Sequence, residues 1–188
     1  VILLGSNNYL GLSTHPKVVE AAAEAVREYG TGSSGSRLTT GNCQLYTELE
    51  AKIAAAKSVE AALVFSSGYL ANISTIPVLA GDRDLIFSDA LNHASIIDGC
   101  RLSKATTQVY RHCDLEHLES LLAGSANFRR RLIVTDGVFS MDGDIVPLPE
   151  ICALADEYEA MVMVDDAHAF GVLGKSGGGT VDHFGLEN

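Results

Sequence analysis

Short apolar runs alternate along the chain with segments whose apolar residues recur at helical spacing. Five runs have the length and composition of β-strands: Ala62–Phe65, Leu85–Phe87, Thr106–Tyr110, Leu132–Thr135 and Met161–Val164. Between them, residues such as Leu115, Leu118 and Leu122 fall on one side of a predicted helix. Strands that alternate with helices form a mostly parallel sheet covered by helices. The pattern therefore predicts an α/β fold, with a mostly parallel sheet and helices on both faces.

The first part of the chain is predicted to be helical. A helix is expected over residues 16–29, because Pro16 suits a first helical turn and apolar residues recur on one face. A glycine-rich segment, residues 30–42, follows it, and a second helix with an apolar inner face comes next. We expect residues 1–12 to end an N-terminal segment and residues 13–188 to form one α/β domain.

Two carboxylates and an imidazole directly follow the last strand candidate. Ala160–Val164 contains only apolar residues, as suits a strand buried on both faces, and Asp165-Asp166-Ala167-His168 comes next. Ligands of open α/β sheets bind beyond the carboxyl ends of the strands. A carboxylate there can keep a bound aromatic nitrogen protonated through a charge-assisted hydrogen bond. Taken alone, the same residues are equally typical of a solvated turn after a core strand.

Small or polar residues follow three other strand candidates. Ser67-Gly68-Tyr69 leads into a helix whose first N–H groups suit a phosphate, although an ordinary strand-to-helix turn has the same composition. His93 opens the next predicted helix, where an imidazole can stack on an aromatic ligand, move protons or cap the helix. Ser140 lies in a polar turn after residues 132–135, and its hydroxyl can donate to a phenolate oxygen.

Charge and cysteine content restrict the partners. The formal net charge is −11 at pH 7, which argues against binding to nucleic acid or to an anionic membrane surface. The 4 cysteines are spread singly, and no spacing of His and Cys indicates a metal site. No segment is apolar over the length of a membrane span. We therefore expect a cytoplasmic protein with reduced thiols.

Six motifs together resemble the α-oxoamine synthases, a family of fold-type I enzymes that use pyridoxal 5'-phosphate (PLP). The motifs follow the family's order and spacing, and they lie at residues 6–11, 35–37, 67–69, 92–95, 137–144 and 164–168. The resemblance covers essentially the whole chain. It implies the large-domain fold of the PLP-dependent transferases, with the C-terminal part of that domain absent.

The resemblance assigns roles to single residues. Six residues are implied to hold the cofactor: Gly68, Tyr69, His93, Ser140, Asp165 and His168. Asp165 would pair with the pyridinium nitrogen, and His168 and Ser140 would bind the phenolic oxygen. His93 would stack on the ring and assist proton transfer, and the first two residues of the set would offer backbone contacts near the phosphate. Asp165, His168 and His93 are the implied catalytic residues.

The implied reaction joins a small amino acid to an acyl-CoA or acyl-carrier thioester with loss of carbon dioxide. Asn7 matches a family residue that contacts the amino-acid carboxylate, and Ser36 matches a position near the bound amino acid. Residues 165–168 and 137–140 are most similar to the branch that uses L-alanine and a pimeloyl thioester in biotin biosynthesis. Branches that acylate glycine with acetyl-CoA or serine with palmitoyl-CoA are the alternatives.

No lysine of the chain matches the lysine that binds the cofactor in this family. We therefore expect residues 1–188 to represent about the first half of a synthase and to be inactive alone, and a lysine-lacking, non-catalytic subunit is the alternative. The resemblance also implies a homodimer with a shared active site, in which residues 30–42 approach the cofactor of the other subunit.

Overall fold

The chain divides between Val64 and Phe65 into two compact units. The structure is a computed structural model, and it describes residues 5–187. The first unit contains a 3-10 helix, Leu12–Thr14, and the helices α1, Pro16–Tyr29, and α2, Gln44–Ala56. The helix predicted over residues 16–29 is thus confirmed, whereas the predicted boundary between residues 12 and 13 stays a prediction.

An ion pair joins separate parts of the first unit. Arg37 Nη1 donates to Glu50 Oε1 at 2.6 Å, and Nη2 donates to Oε2 at 3.0 Å. The hydrogen bond from Arg37 and a second one from the Val64 N–H lower the pKa of Glu50 to about 2. Gly41 and Ala54 are the two buried residues among the described part of this unit, so polar contacts rather than a core fix its loops.

The apolar sides of α1 and α2 are exposed. The exposed residues on these sides include Val18, Val19, Val26, Tyr29, Leu45 and Leu49. The burial predicted for the apolar side of α2 is therefore not observed within residues 5–187. A unit as small as this one buries too little apolar surface to form a substantial core of its own.

The strand predicted at Ala62–Phe65 is wrong. The segment has no regular secondary structure, and within residues 5–187 it pairs with no strand. Instead, the Val64 N–H donates to Glu50 Oε1 at 2.9 Å, and the Val64 carbonyl accepts from Arg37 Nη1 at 3.4 Å. An apolar run becomes a strand only where another strand takes up its backbone hydrogen bonds.

The second unit contains a four-stranded sheet in which all neighbouring strands are parallel, in the order β2-β1-β3-β4. The strands are β1, Leu85–Asp89, β2, Thr106–Tyr110, β3, Arg131–Asp136, and β4, Met161–Asp165. The helices are α3, Gly68–Leu79, α4, Ala94–Leu102, α5, Leu115–Ala123, α6, Leu148–Glu157, and α7, Thr180–Phe184. The other four predicted strands are confirmed.

Helices pack on both faces of this sheet, as the apolar pattern predicts. On one face, Ile86 and Leu132 pack with Ile76 of α3 and Ile96 of α4. The buried residues of the opposite face include Leu85, Phe87, Ile133, Leu118 and Leu122 of α5, and Leu148 and Ile151 of α6. Because neighbouring residues of a strand point to opposite faces, the continuous apolar runs supply both cores.

The strand register brings acidic residues to one end of the sheet. Asp136 at the end of β3 lies opposite Asp165 at the end of β4, and Asp89 ends β1 beside Tyr110 of β2. Because the strands are parallel, the loops that follow them leave from the same edge. No helix among residues 5–187 has the length and apolarity needed to cross a bilayer.

Candidate active site at the carboxyl ends of the strands

Asp165 ends β4 with both carboxylate oxygens fixed by N–H donors. Asn72 Nδ2, on α3, donates to Oδ2 at 2.6 Å, and the Ala167 N–H donates to Oδ1 at 3.1 Å. Asn72 is buried, whereas Asp165 is half-buried. The carboxylate is therefore held in one orientation while part of the residue stays accessible. Sequence reasoning missed Asn72, because 93 positions separate it from its partner.

Asp136 is a buried acid next to Asp165, and it also escaped sequence reasoning as a site residue. Its Oδ2 accepts the His93 backbone N–H at 2.7 Å. Burial raises the pKa of Asp136 to about 6, the His93 N–H opposes that rise, and the negative charge of Asp165 adds to it. Asn92 fastens the same loop, since its Oδ1 accepts the Asp136 N–H at 2.9 Å and its Nδ2 donates to the Val134 carbonyl at 2.8 Å.

His93 is the N-cap of α4, so the predicted helix start is confirmed. Its ring Nδ1 lies 2.7 Å from Ser95 Oγ and accepts the Ser95 backbone N–H at 3.2 Å. The residue itself is exposed, although its backbone is tied to Asp136. The structure thus gives His93 the capping role, and its role in stacking and proton transfer stays a prediction.

Gly68 and Tyr69 begin α3, where a helix offers N–H groups without helical partners. The first bond of the helix is donated by the Ala71 N–H to the Ser67 carbonyl at 3.0 Å, and Ser67 Oγ caps the Leu70 N–H at 3.1 Å. A Cβ placed on Gly68 would meet nothing within 4 Å. The space and the donors fit an anion. The Tyr69 hydroxyl donates to Asp98 Oδ2 at 2.7 Å, which anchors that ring to α4.

Ser140 and His168 lie on the two loops that follow β3 and β4. These loops begin side by side, since the Gly137 N–H donates to the Asp165 carbonyl at 2.8 Å. Ser140 is exposed in a hairpin closed by the bridge between Val138 and Ile145, and His168 is half-buried. The shared loop origin is compatible with a common ligand, and both roles stay predictions.

Asp166, the second acid of the Asp165-Asp166 pair, has a structural partner. Its carboxylate accepts from the Thr180 backbone N–H at 3.0 and 3.2 Å and from the Thr180 hydroxyl. These bonds fix the first residue of α7 to the end of β4. The two neighbouring acids therefore have different partners: Asp165 bonds to Asn72 on α3, and Asp166 bonds to Thr180 at the start of α7.

Asn7 and Ser36 belong to the first unit. Both are exposed, and their polar atoms serve local turns: Asn7 Oδ1 accepts from the Tyr9 hydroxyl at 3.4 Å, and Ser36 Oγ accepts the Leu38 N–H at 3.3 Å. Their assignment to an amino-acid substrate stays a prediction.

A second cluster of a histidine and two acids lies at the ends of β1 and β2. His112 Nδ1 is 2.9 Å from Asp89 Oδ1, and Nε2 is 2.6 Å from Asp144 Oδ2. Asp89 also accepts the Cys113 N–H at 2.9 Å, and the possible ligand atoms of Asp89, His112 and Cys113 lie within 4.8 Å of one another. Because both ring nitrogens already bond to carboxylates, the cluster forms a closed bridge. Sequence reasoning did not detect it.

Sequence comparison relates the chain to enzymes of known family. A profile described as aminotransferase class I and II matches residues 1–187. The chain is 60% identical over 181 residues to the putative 8-amino-7-oxononanoate synthase of Bacillus subtilis subsp. natto, which covers 96% of the chain and 49% of that protein. It is 57% identical over 184 residues to the 8-amino-7-oxononanoate synthase of Geobacter sulfurreducens, with 98% and 47% covered.

Solved structures share the fold. The serine palmitoyltransferase of Sphingomonas wittichii superposes with a TM-score of 0.96 at 41% identity, covering 99% of the chain and 47% of that structure. The 8-amino-7-oxononanoate synthase of Francisella tularensis gives a TM-score of 0.82 at 33% identity, with 96% and 49% covered. The chain thus spans about half the length of the relatives it matches.

Proposed function

The chain belongs to the aminotransferase class I and II family, and on this premise we propose that it holds PLP at the Asp165 end of its sheet. The proposed activity is that of an 8-amino-7-oxononanoate synthase, which joins L-alanine to a pimeloyl thioester in biotin biosynthesis. One observation carries the proposal: Asp165 stands at the carboxyl end of the parallel strand β4, oriented by Asn72 and still partly accessible.

The residues present fit PLP in chemical type. Asp165 supplies a fixed carboxylate for a pyridinium nitrogen, and the start of α3 at Gly68 supplies N–H donors and free space for a phosphate. The exposed imidazole of His93 suits the face of an aromatic ring. Ser140 and His168 offer polar groups for a phenolic oxygen. A serine palmitoyltransferase from S. paucimobilis with a TM-score of 0.96 was solved with bound PLP and myriocin, which supports the assignment.

The cofactor would supply an electron sink that weakens the bonds at Cα of an amino acid. The chain's own residues would keep the cofactor in the protonated form that acts as this electron sink. Asp165 would keep the ring nitrogen of a bound PLP protonated, because a carboxylate can accept a charge-assisted hydrogen bond there. Asn72 and the Ala167 N–H prevent this carboxylate from rotating away. Asp136 holds the His93 backbone in place, and His93 supplies the nearby imidazole.

The partners follow from the proposed reaction. An amino acid and an acyl-CoA or acyl-carrier thioester would be the substrates, with Asn7 and Ser36 near the amino acid. A homodimer with a shared site, to which residues 30–42 of each subunit contribute, and a cytoplasmic location belong to the same proposal. Because the chain spans about half the length of its relatives, the complete reaction is proposed for a protein that also carries the family's cofactor-binding lysine.

A serine palmitoyltransferase-like activity is the second candidate. The TM-score to the Sphingomonas wittichii enzyme is 0.96, against 0.82 for the Francisella tularensis synthase. The sequence identities favour the first candidate, since 8-amino-7-oxononanoate synthases reach 60%. Glycine acylation and a non-catalytic, lysine-lacking subunit are the further alternatives. The experiments described next separate them.

Two measurements test the proposal. PLP binding to the purified protein is titrated by absorbance, and Asp165→Asn should weaken it about tenfold or more, as expected for loss of a charged hydrogen bond. Asp156→Asn removes the same charge from an exposed position on α6 and should leave PLP binding unchanged. Equal affinities for the wild type and Asp165→Asn would refute the cofactor site.

The substrate assignment is tested on a protein that carries the lysine. L-alanine, glycine and L-serine are each offered with pimeloyl, acetyl and palmitoyl thioesters, and the products are weighed by mass spectrometry. The proposal requires the alanine–pimeloyl product to predominate. A dominant serine–palmitoyl or glycine–acetyl product would select the corresponding alternative. The non-catalytic subunit would be selected instead if the full-length protein gave no lysine adduct after borohydride reduction in the presence of PLP.

A further inference from the structure

A buried chain of hydrogen bonds runs from Asp165 to the ring of His93. Asn72 Nδ2 lies 2.6 Å from Asp165 Oδ2 and 2.9 Å from Ser95 Oγ, and Ser95 Oγ lies 2.7 Å from His93 Nδ1. We infer that Asn72 and Ser95 are positioning residues, which link the two side chains and fix His93 as the neutral tautomer with its proton on Nε2. The inference concerns the chain's own residues, and its catalytic meaning rests on the proposed function.

The Asp165 carboxylate determines which atom donates in each hydrogen bond between Asp165 and His93. A carboxylate accepts hydrogen bonds and donates none, so the Asn72 amide must present its NH2 group to Asp165. The same NH2 group reaches Ser95 Oγ with its second hydrogen. Ser95 Oγ is therefore an acceptor toward Asn72. Its own hydrogen is available for His93, which is its only other side-chain hydrogen-bond partner among residues 5–187.

Two donors then meet at one ring nitrogen. The Ser95 hydroxyl donates to His93 Nδ1 at 2.7 Å, and the Ser95 backbone N–H, which cannot act as an acceptor, donates to the same atom at 3.2 Å. A neutral imidazole has one protonated and one unprotonated nitrogen. Because Nδ1 accepts from both donors, the proton of the neutral ring lies on Nε2. The Ser95 backbone N–H alone requires an unprotonated Nδ1, whichever way the bonds from Asp165 are directed.

Burial makes this arrangement persistent. Asn72 is 5% exposed and Ser95 1% exposed, so water has little access to replace either bond. His93 itself is exposed, so the protonated Nε2 belongs to the accessible part of the site. The prediction for His93 is thereby sharpened: toward a ligand the neutral ring offers a hydrogen-bond donor at Nε2, while its lone-pair nitrogen, Nδ1, is occupied by the two Ser95 donors.

The tautomer can be read directly, without cofactor or substrate. The protein is labelled with 15N-histidine, and two-bond 1H–15N correlations are recorded at neutral pH. His93 should show a protonated Nε2 and an unprotonated Nδ1. His117 serves as an internal reference for the same pattern, because its Nδ1 accepts the Arg111 N–H at 2.9 Å. A protonated Nδ1 on neutral His93 would overturn the inference.

Two variants test the link itself. Ser95→Ala removes the hydroxyl donor, so the fraction of His93 with a protonated Nδ1 should rise, while the exposed Ser74→Ala on α3 should change nothing. Asn72→Leu should shift the His93 ring signals, although Asn72 has no hydrogen bond with His93 among the described residues. Unchanged His93 signals in folded Asn72→Leu would disprove the relay. If Ser95→Ala fails to fold, the wild-type tautomer and Asn72→Leu still decide.

These results are independent of PLP. A relay seen by NMR in a protein that does not bind PLP would contradict the proposed function alone. A protein that binds PLP through Asp165 but carries the proton of His93 on Nδ1 would contradict the relay alone.

Discussion

Two clusters at the same end of the sheet combine a histidine with two acids, and they differ in how many nitrogens of the histidine ring form hydrogen bonds within residues 5–187. His112 bonds to Asp89 and Asp144 through both ring nitrogens, and its ring packs edge-on against Phe139 with centroids 4.4 Å apart. The cluster of His93, Asp136 and Asp165 leaves His93 exposed and Asp165 half-buried. Residue types alone therefore do not mark a ligand site. The proposed site is distinguished instead by an exposed histidine whose ring bonds through Nδ1 alone within residues 5–187.

The cluster of His112, Asp89 and Asp144, which we call the closed cluster, has the charge arrangement of a structural bridge. Burial lowers the pKa of His112, but the hydrogen bonds to Asp89 and Asp144 outweigh this effect, and the net pKa lies above its ordinary value. The bridge connects the end of β1, the turn after β2 and the hairpin that carries Ser140. In the cluster of His93, Asp136 and Asp165, which we call the open cluster, burial and the neighbouring Asp165 raise the pKa of Asp136 instead. The charges of the closed cluster therefore stabilise the folded protein, whereas the buried charge of Asp136 in the open cluster lowers the free energy of unfolding.

The largest difference is expected when each histidine is replaced by Phe. His93→Phe keeps an aromatic face but removes the ring nitrogens, so turnover in a lysine-carrying protein should fall about 10²-fold or more while PLP stays bound. The melting temperature should fall modestly, because a Phe side chain cannot accept the cap hydrogen bond from the Ser95 N–H, but this loss is too small to account for the fall in turnover. His112→Phe should show the reverse, with lower stability and retained PLP affinity. A parallel loss of stability and turnover in His93→Phe would reduce His93 to a helix cap.

The closed bridge should have a measurable stability with a defined pH dependence. His112→Gln leaves the buried Asp89 carboxylate without its cationic partner, and at pH 6 we expect a loss of about 2–3 kcal/mol in the free energy of unfolding. Because the folded pKa of His112 is raised, its contribution is complete below the ordinary value and is lost as pH rises through the folded value.

Urea titrations between pH 6 and pH 9 check this sign. The wild type should lose stability relative to His112→Gln as pH rises, and the two curves should approach each other. Arg111 pairs with Asp114 on the surface, and Arg111→Gln next to His112 is a matched control that should leave the pH dependence unchanged. A constant difference across the range would exclude a charged bridge.

The comparison also shows which parts of the molecule the sequence could predict. Four apolar runs correctly predicted β1 to β4, and the resemblance to the α-oxoamine synthases is confirmed by relatives of that kind. The polar residue at the end of β4 was predicted because parallel strands place their carboxyl ends together. Local patterns thus sufficed wherever a strand both supplied the core and ended at the site.

Other features depend on residues that are distant in sequence. Ala62–Phe65 has an apolar pattern but no strand partner among the described residues, so its backbone bonds to Arg37 and Glu50 instead. Asn72 looks like an ordinary helical residue until α3 meets Asp165. His112 acquires its role from Asp144, 32 positions away. No spacing rule in a single sequence contains these contacts.

The smallest expected effect concerns the stability that the protein loses by burying the Asp136 carboxylate in the open cluster. Asp136 is buried, and its pKa is raised to about 6, so its neutral form favours folding and this contribution is lost as pH rises through that value. Asp136→Asn keeps an oxygen that can accept the His93 N–H but carries no charge. At pH 7 the variant should be about 1 kcal/mol more stable than the wild type, and the advantage should vanish near pH 4. Urea titrations at both values measure this difference, with Asp156→Asn on the surface of α6 as the control for charge. If Asp136→Asn is less stable than the wild type at both pH values, then the carboxylate contributes more through its hydrogen bond to His93 than its burial costs, and the open cluster would resemble the closed one.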